Sequence, residues 1–223
     1  MRILVIAGKV DSRILAYPLA RALSLSGLTA IIADDGSYRR LFFGNGDKGT
    51  VSGVDISVGI KFGEVLKNSL NDSGVPYSNM ILVTTGYVPP DATGVIICKG
   101  IDKSMSAPTI KEAEETADKS EAELMELQKL TTDEIVVPDG LKSNTVYISF
   151  ETPSKKGASA ISLKDTAIKY IYSCEERKEL QIIEDKGMNK ILVQIASDPL
   201  GISPDELMKL LTRKEYIASG KVK

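Results

Sequence analysis

Arg2-Ile3-Leu4-Val5-Ile6-Ala7-Gly8-Lys9-Val10-Asp11-Ser12-Arg13, running into Ile14-Leu15-Ala16-Tyr17-Pro18-Leu19-Ala20-Arg21-Ala22-Leu23, decides the fold. Residues 2–7 are an unbroken β-branched and leucine run, the pattern of a strand buried on both faces. Gly8 opens a tight turn. Residues 13–26 then read as a helix, with Asp11 or Ser12 as its N-cap. Pro18 inside that helix predicts a late start or a kink. Gly27 suits the C-cap. Residues 28–33 form a second strand, with Asp34-Asp35-Gly36-Ser37 as its exit turn.

The same alternation continues. Residues 44–53 are glycine-rich and read as a mobile turn or a hairpin. Residues 54–60 suggest a short strand, 61–71 a short helix, 80–85 a third buried strand and 94–98 a fourth. Residues 109–131 carry the longest helical pattern: Ile110, Ala113, Ala117, Leu124, Leu127 and Leu130 recur near helical spacing. The charges between them make a solvated face or a partner surface. Residues 144–150 are a further strand. Beyond Pro153-Ser154-Lys155-Lys156-Gly157 the pattern blurs. Residues 168–172 fit a strand or part of a helix, and 190–196 fit a helix. Ser203-Pro204-Asp205-Glu206 opens a last helix with cap, proline and acids in order.

Strands alternating with helices predict an α/β fold, a mainly parallel sheet with helices on both faces. Residues 1–150 form the principal domain. Residues 151–223 form its C-terminal part or a small helical extension. Ligands of such sheets bind at the carboxyl ends of the strands. Gly8 to Arg13, Asp34 to Ser37 and Thr84 to Asp91 therefore surround one crevice.

Composition narrows the chemistry. The chain has 223 residues, a net charge of −2 and no histidine. Histidine acid–base catalysis, Ser-His-Asp triads and histidine metal sites are excluded. The acidic balance disfavours a whole-surface nucleic-acid binder. Cys98 and Cys174 are far apart, and Cys98 lies in an apolar run, so a buried thiol in a reducing compartment is expected. No run approaches the ~20 apolar residues of a spanning helix. With no signal-peptide layout at its start, the chain is expected in the cytoplasm.

Residues 1–150 resemble the ParA/MinD group of P-loop ATPases. That group's first strand leads into a lysine-glycine-glycine-valine-glycine-lysine-threonine-threonine loop and an alanine/leucine-rich helix. Ile14-Leu15-Ala16 and Leu19-Ala20-Arg21-Ala22-Leu23 match the helix, and Gly8 and Val10 match the loop. Ala7 falls where the signature lysine sits. Lys9 and Asp11 replace glycines. Ser12 stands at the phosphate-binding lysine and Arg13 at the magnesium-binding threonine. Asp34 matches the aspartate that ends the second strand. Val83 or Thr84 stands where the group has a magnesium-contacting aspartate.

The resemblance implies a P-loop-like frame without a working phosphate loop. Such loops wrap phosphate in backbone N–H groups at a helix N-terminus, with a lysine on the outer phosphates. Asp11 would put a carboxylate beside bound phosphate. Two readings of the loop stay open. Lys9 and Arg13 supply charge to a phosphate from new positions, or the loop is a plain salt-bridged turn. Asp34 holds a metal-bound water, Asp34 and Asp35 act as general-base carboxylates, or both acids are caps and turn formers.

The resemblance implies a non-hydrolysing scaffold or localisation and assembly factor, like the TadZ-type proteins of pilus systems. It would need no cofactor, would act through protein partners and would pair as a homodimer across the crevice. One alternative is an enzyme or switch binding ATP or ADP with magnesium through a rebuilt loop. In either case Gly8, Lys9, Asp11, Ser12, Arg13 and Asp34 line the crevice. Another alternative is a DNA-partitioning accessory using Arg39-Arg40 and Lys155-Lys156. Tyr38, Arg39, Arg40 and Phe43 make the candidate partner patch, or else an element edge with Phe42 in the core.

Overall fold

The computed structural model describes residues 1–8, 11–34, 36–43, 46–60, 77–99, 135–149 and 165–213. Its strands are β1 (Arg2–Ala7), β2 (Thr29–Ala33), β3 (Lys48–Val51), β4 (Val54–Val58), β5 (Asn79–Thr84), β6 (Gly94–Lys99) and β7 (Thr145–Ser149). They form one sheet in the order β3-β4-β2-β5-β1-β6-β7. All neighbours run parallel except β3 and β4. β1 lies between β5 and β6, and both its faces are buried, Leu4 and Ile6 in one core and Ile3, Val5 and Ala7 in another. Ala7 is level with Thr84, and Ala33 with Val83 and Val58, so these strands end along one edge.

The α-helices among the described residues are α1 (Arg13–Ser24), α2 (Asp165–Arg177), α3 (Lys186–Leu200) and α4 (Pro204–Thr212). They bury one face of the sheet: Leu4, Ile6, Ile31, Ile81, Val83 and Ile96 share a core with Leu15, Leu19, Ile171, Leu192 and Leu207. On the other face Ile3, Val5, Ile32, Met80 and Ile97 pack with Val88, Ala92, Ile135 and Leu141. The helices expected over 61–71 and 109–131 lie outside the described residues. Residues 168–172 belong to α2, settling the strand-or-helix ambiguity. Residues of α2, α3 and α4 thus share one core with α1 and the sheet.

Two local details differ from expectation, and one open reading is decided. α1 begins at Arg13 and runs through Pro18, so the late start does not occur. Ten of its residues are buried, Pro18 among them, and that packing outweighs the one hydrogen bond the proline forgoes. The helix ends at Ser24 with Leu25 as its C-cap, so Gly27 is no cap. Gly27 is instead held close to another segment: a Cβ there would lie 2.7 Å from the Ser78 side chain. The glycine-rich stretch resolves as the β3–β4 hairpin. Its turn residues Ser52 (φ 51°) and Gly53 (φ 75°) are both left-handed, as a tight two-residue hairpin requires.

Candidate functional site

The loop between β1 and α1 is built around a buried ion cluster. Gly8 has φ 148°, and its N–H donates to the Thr84 carbonyl at 3.0 Å. A Cβ at Gly8 would lie 2.4 Å from the Cys98 carbonyl oxygen, so only glycine lets the loop pass β6 this closely. Ser12 is the N-cap residue of α1, yet its hydroxyl makes no cap bond. It pairs with the Tyr38 hydroxyl at 3.2 Å. The capping falls to Asp11, whose Oδ1 accepts from the Arg13 backbone N–H at 3.1 Å.

The Arg13 side chain returns to the same carboxylate. Its Nε donates to Asp11 Oδ1 at 2.8 Å and Oδ2 at 3.0 Å, and its Nη2 also bonds Oδ2. Its Nη1 donates to Glu175 Oε1, from α2. The Tyr17 hydroxyl donates to the same Glu175 oxygen at 3.2 Å. Asp11, Arg13 and Glu175 are all buried. Burial opposes the guanidinium charge, but the hydrogen bond to Asp11 and the Asp11 and Glu175 charges outweigh it. The Arg13 pKa is raised. The Tyr17 hydroxyl is also raised, first by burial and then by the Glu175 charge. Tyr17 and Tyr38 meet edge to face, ring centroids 5.5 Å apart.

Asp34 stands at the end of β2. Its Oδ2 accepts from the Thr85 backbone N–H at 2.6 Å and the Thr85 hydroxyl at 3.0 Å. Thr84 is buried, and its hydroxyl accepts from the N–H groups of Gly86 and Tyr87 at 3.2 and 3.0 Å. These acceptors hold the turn after β5. No group of three or more His, Cys, Asp or Glu placed to hold a metal occurs among the described residues.

Each expected site residue can now be placed. Gly8, Asp11, Ser12, Arg13 and Asp34 lie at the carboxyl edge of the sheet; Lys9 and Asp35 lie outside the described residues. Asp11 and Arg13 form a salt-bridged turn. Among the described residues, a carboxylate takes the N–H of the first residue of α1, and Arg13 is shared by two acids. The partner patch needs a correction at Tyr38, which is fully buried. It lies in a 3₁₀ helix (Gly36–Leu41), where Tyr38 and Leu41, three apart, share the inward side. Arg39, Arg40 and Phe43 remain outward, and Phe42 is packed in the core. Cys98 is buried, which raises its thiol pKa.

Glu175 and Tyr17 were not among the expected site residues. A signal existed for Glu175. Ile168, Ile171 and Glu175 fall at i, i+3 and i+7, so the carboxylate rides the helix's apolar side.

The fold and site define an α/β protein with a mainly parallel sheet and a buried ion cluster at the start of α1. No family model and no curated protein matches the chain. Among solved structures it is similar to a plasmid partition protein of Borrelia burgdorferi B31, crystallised with AMPPNP. That match has 14% identity and a TM-score of 0.37, and covers 94% of this chain and 97% of the other. No helix among the described residues is long and apolar enough to cross a membrane.

Proposed function

We propose that this chain is a non-hydrolysing scaffold on a ParA/MinD-like frame, acting by binding other proteins rather than by turning over nucleotide. One observation carries the reading: the Asp11 carboxylate sits on the first N–H of α1, and Arg13 is tied between Asp11 and Glu175. A helix N-terminus binds phosphate through free N–H groups and local positive charge. Here two carboxylates face one guanidinium, so the cluster carries a net negative charge. A phosphate placed there would be repelled and would find the cation engaged. The β1–α1 resemblance supports the frame, and the altered loop supports the loss of hydrolysis.

Isothermal titration with ATP, ADP and a non-hydrolysable ATP analogue, with and without Mg²⁺, tests the reading. No heat is expected with any of them. Binding that is lost on Lys9→Ala or Arg13→Ala would overturn the proposal and favour the nucleotide-binding alternative. Pairing into a homodimer belongs to the same reading, and light scattering on the purified chain checks it.

A further inference from the structure

A second feature lies beyond β2, on the outward side of the 3₁₀ helix whose Tyr38 reaches in to the Ser12 hydroxyl. Tyr38 and Leu41 are fully buried, and Phe42 is packed beside Gly49, where a Cβ would stand 3.0 Å from the Phe42 ring. Phe43, the next residue, is 88% exposed. The chain therefore sets three core anchors within five residues and then turns a phenylalanine outward. Arg39 and Arg40 are exposed beside it. Arg39 is spoken for, its Nε donating to Asp47 Oδ1 at 2.6 Å. Arg40 makes no ion pair among the described residues.

Lys178 supplies an independent observation. It follows α2 with φ 53°, a left-handed conformation that glycine normally fills at a helix end. The Glu179 N–H reaches back to the Cys174 carbonyl at 3.0 Å and closes that end. The Lys178 ammonium donates to the Arg40 carbonyl at 2.5 Å. A lysine thus holds an unfavourable backbone angle and brings a second cation to Arg40.

We infer that Arg40, Lys178 and Phe43 form a docking corner for an acidic segment of a partner protein that also carries an apolar side chain. The apolar group seats on Phe43, and its carboxylates meet Arg40 and Lys178. Arginine and aromatic residues carry much of the energy of protein interfaces, and the buried Tyr38, Leu41 and Phe42 anchor the segment that presents Arg40 and Phe43. A nucleic acid fits less well. The chain is net negative, and the corner offers two cations beside an apolar ring rather than the extended basic track that a phosphate chain needs. The inference rests on the scaffold reading in taking the chain to work through a protein partner.

A random-sequence peptide library displayed on phage, panned against the full chain, tests it. Enriched peptides are expected to combine acidic with aromatic or aliphatic residues. Synthetic copies should lose about tenfold or more in affinity with Phe43→Ala and with Arg40→Glu, and should weaken as salt rises. Both substitutions are at exposed positions, and circular dichroism verifies that the variants stay folded. No enrichment, or binding indifferent to both substitutions, would overturn the inference. Binding of a labelled oligothymidylate that Arg40→Glu abolishes would overturn it in favour of nucleic acid. Calorimetry with ATP on the same preparations tests the scaffold reading separately: heat there, with corner-dependent peptide binding intact, removes that reading and leaves the corner.

Discussion

At the residue scale, Arg13 governs the loop. Removing it strands two carboxylates in a buried place, and breaking one side of a buried ion cluster costs about 3–5 kcal/mol. Arg13→Met is expected to lose stability in that range, read from urea unfolding. Glu175→Gln keeps an acceptor for Tyr17 and removes only a charge, so about 1–2 kcal/mol is expected. Equal losses from the two variants would mean that packing, not charge, holds the loop. Tyr17 adds a pH dependence. Its hydroxyl is raised by burial and by Glu175. The folded chain keeps that proton at pH values where the unfolded chain releases it. The contribution is complete below about pH 10 and declines as pH rises above it. Urea midpoints on either side of that pH should therefore fall more in the wild type than in Tyr17→Phe. Arg13 and Asp11 as partners were legible in the sequence, because they are two apart in one loop. Glu175 was not, because 162 positions separate it from Arg13 and only the tertiary fold joins them.

At the element scale, backbone approach decides more than propensity. A Cβ on Gly94 at the start of β6 would stand 2.3 Å from Pro199 Cα and 2.4 Å from its carbonyl oxygen in α3. Backbone atoms cannot swing aside, so Gly94→Ala must push α3 off the sheet. A loss of about 2 kcal/mol is expected, comparable to overpacking elsewhere, and is measured by thermal or urea unfolding. Ser203 presents a milder case. Its hydroxyl accepts from the Glu206 N–H at 3.2 Å and caps α4. Ser203→Ala should cost about 1 kcal/mol. The α4 start was readable because every signal is local: a serine, a proline and two acids in sequence. The role of Gly27 was misread for the opposite reason. A glycine after a helix looks like a cap, but this one serves a contact with Ser78, fifty-one positions away. Tyr38 was misread because aromatics among arginines resemble a surface patch, whereas the pitch of a 3₁₀ helix turns it inward with Leu41.

At the scale of the whole molecule, the C-terminal third completes the N-terminal loop. The sheet was legible because its central strands are buried on both faces and so carry unmistakable apolar runs. The placing of α2 against α1 was not, since two amphipathic helices carry no address for each other. That placement brings Glu175 to Arg13 and makes the cluster net negative. If this charge balance is what excludes phosphate, reversing it should admit one. Asp11→Asn with Glu175→Gln leaves Arg13 as an uncompensated cation beside the α1 N-terminus, the arrangement that attracts anions. Inorganic phosphate is then expected to raise the melting temperature of the double variant and to leave the wild type unchanged. A ligand at ten times its Kd stabilises the native state by about 1.4 kcal/mol, enough for a clear thermal shift. The double variant begins less stable than the wild type, so the shift is read against its own phosphate-free baseline, with chloride at equal ionic strength as the control. No phosphate-specific shift in the double variant would mean that loop shape, rather than the carboxylates, keeps phosphate out. A shift in the wild type would mean that the site was never closed.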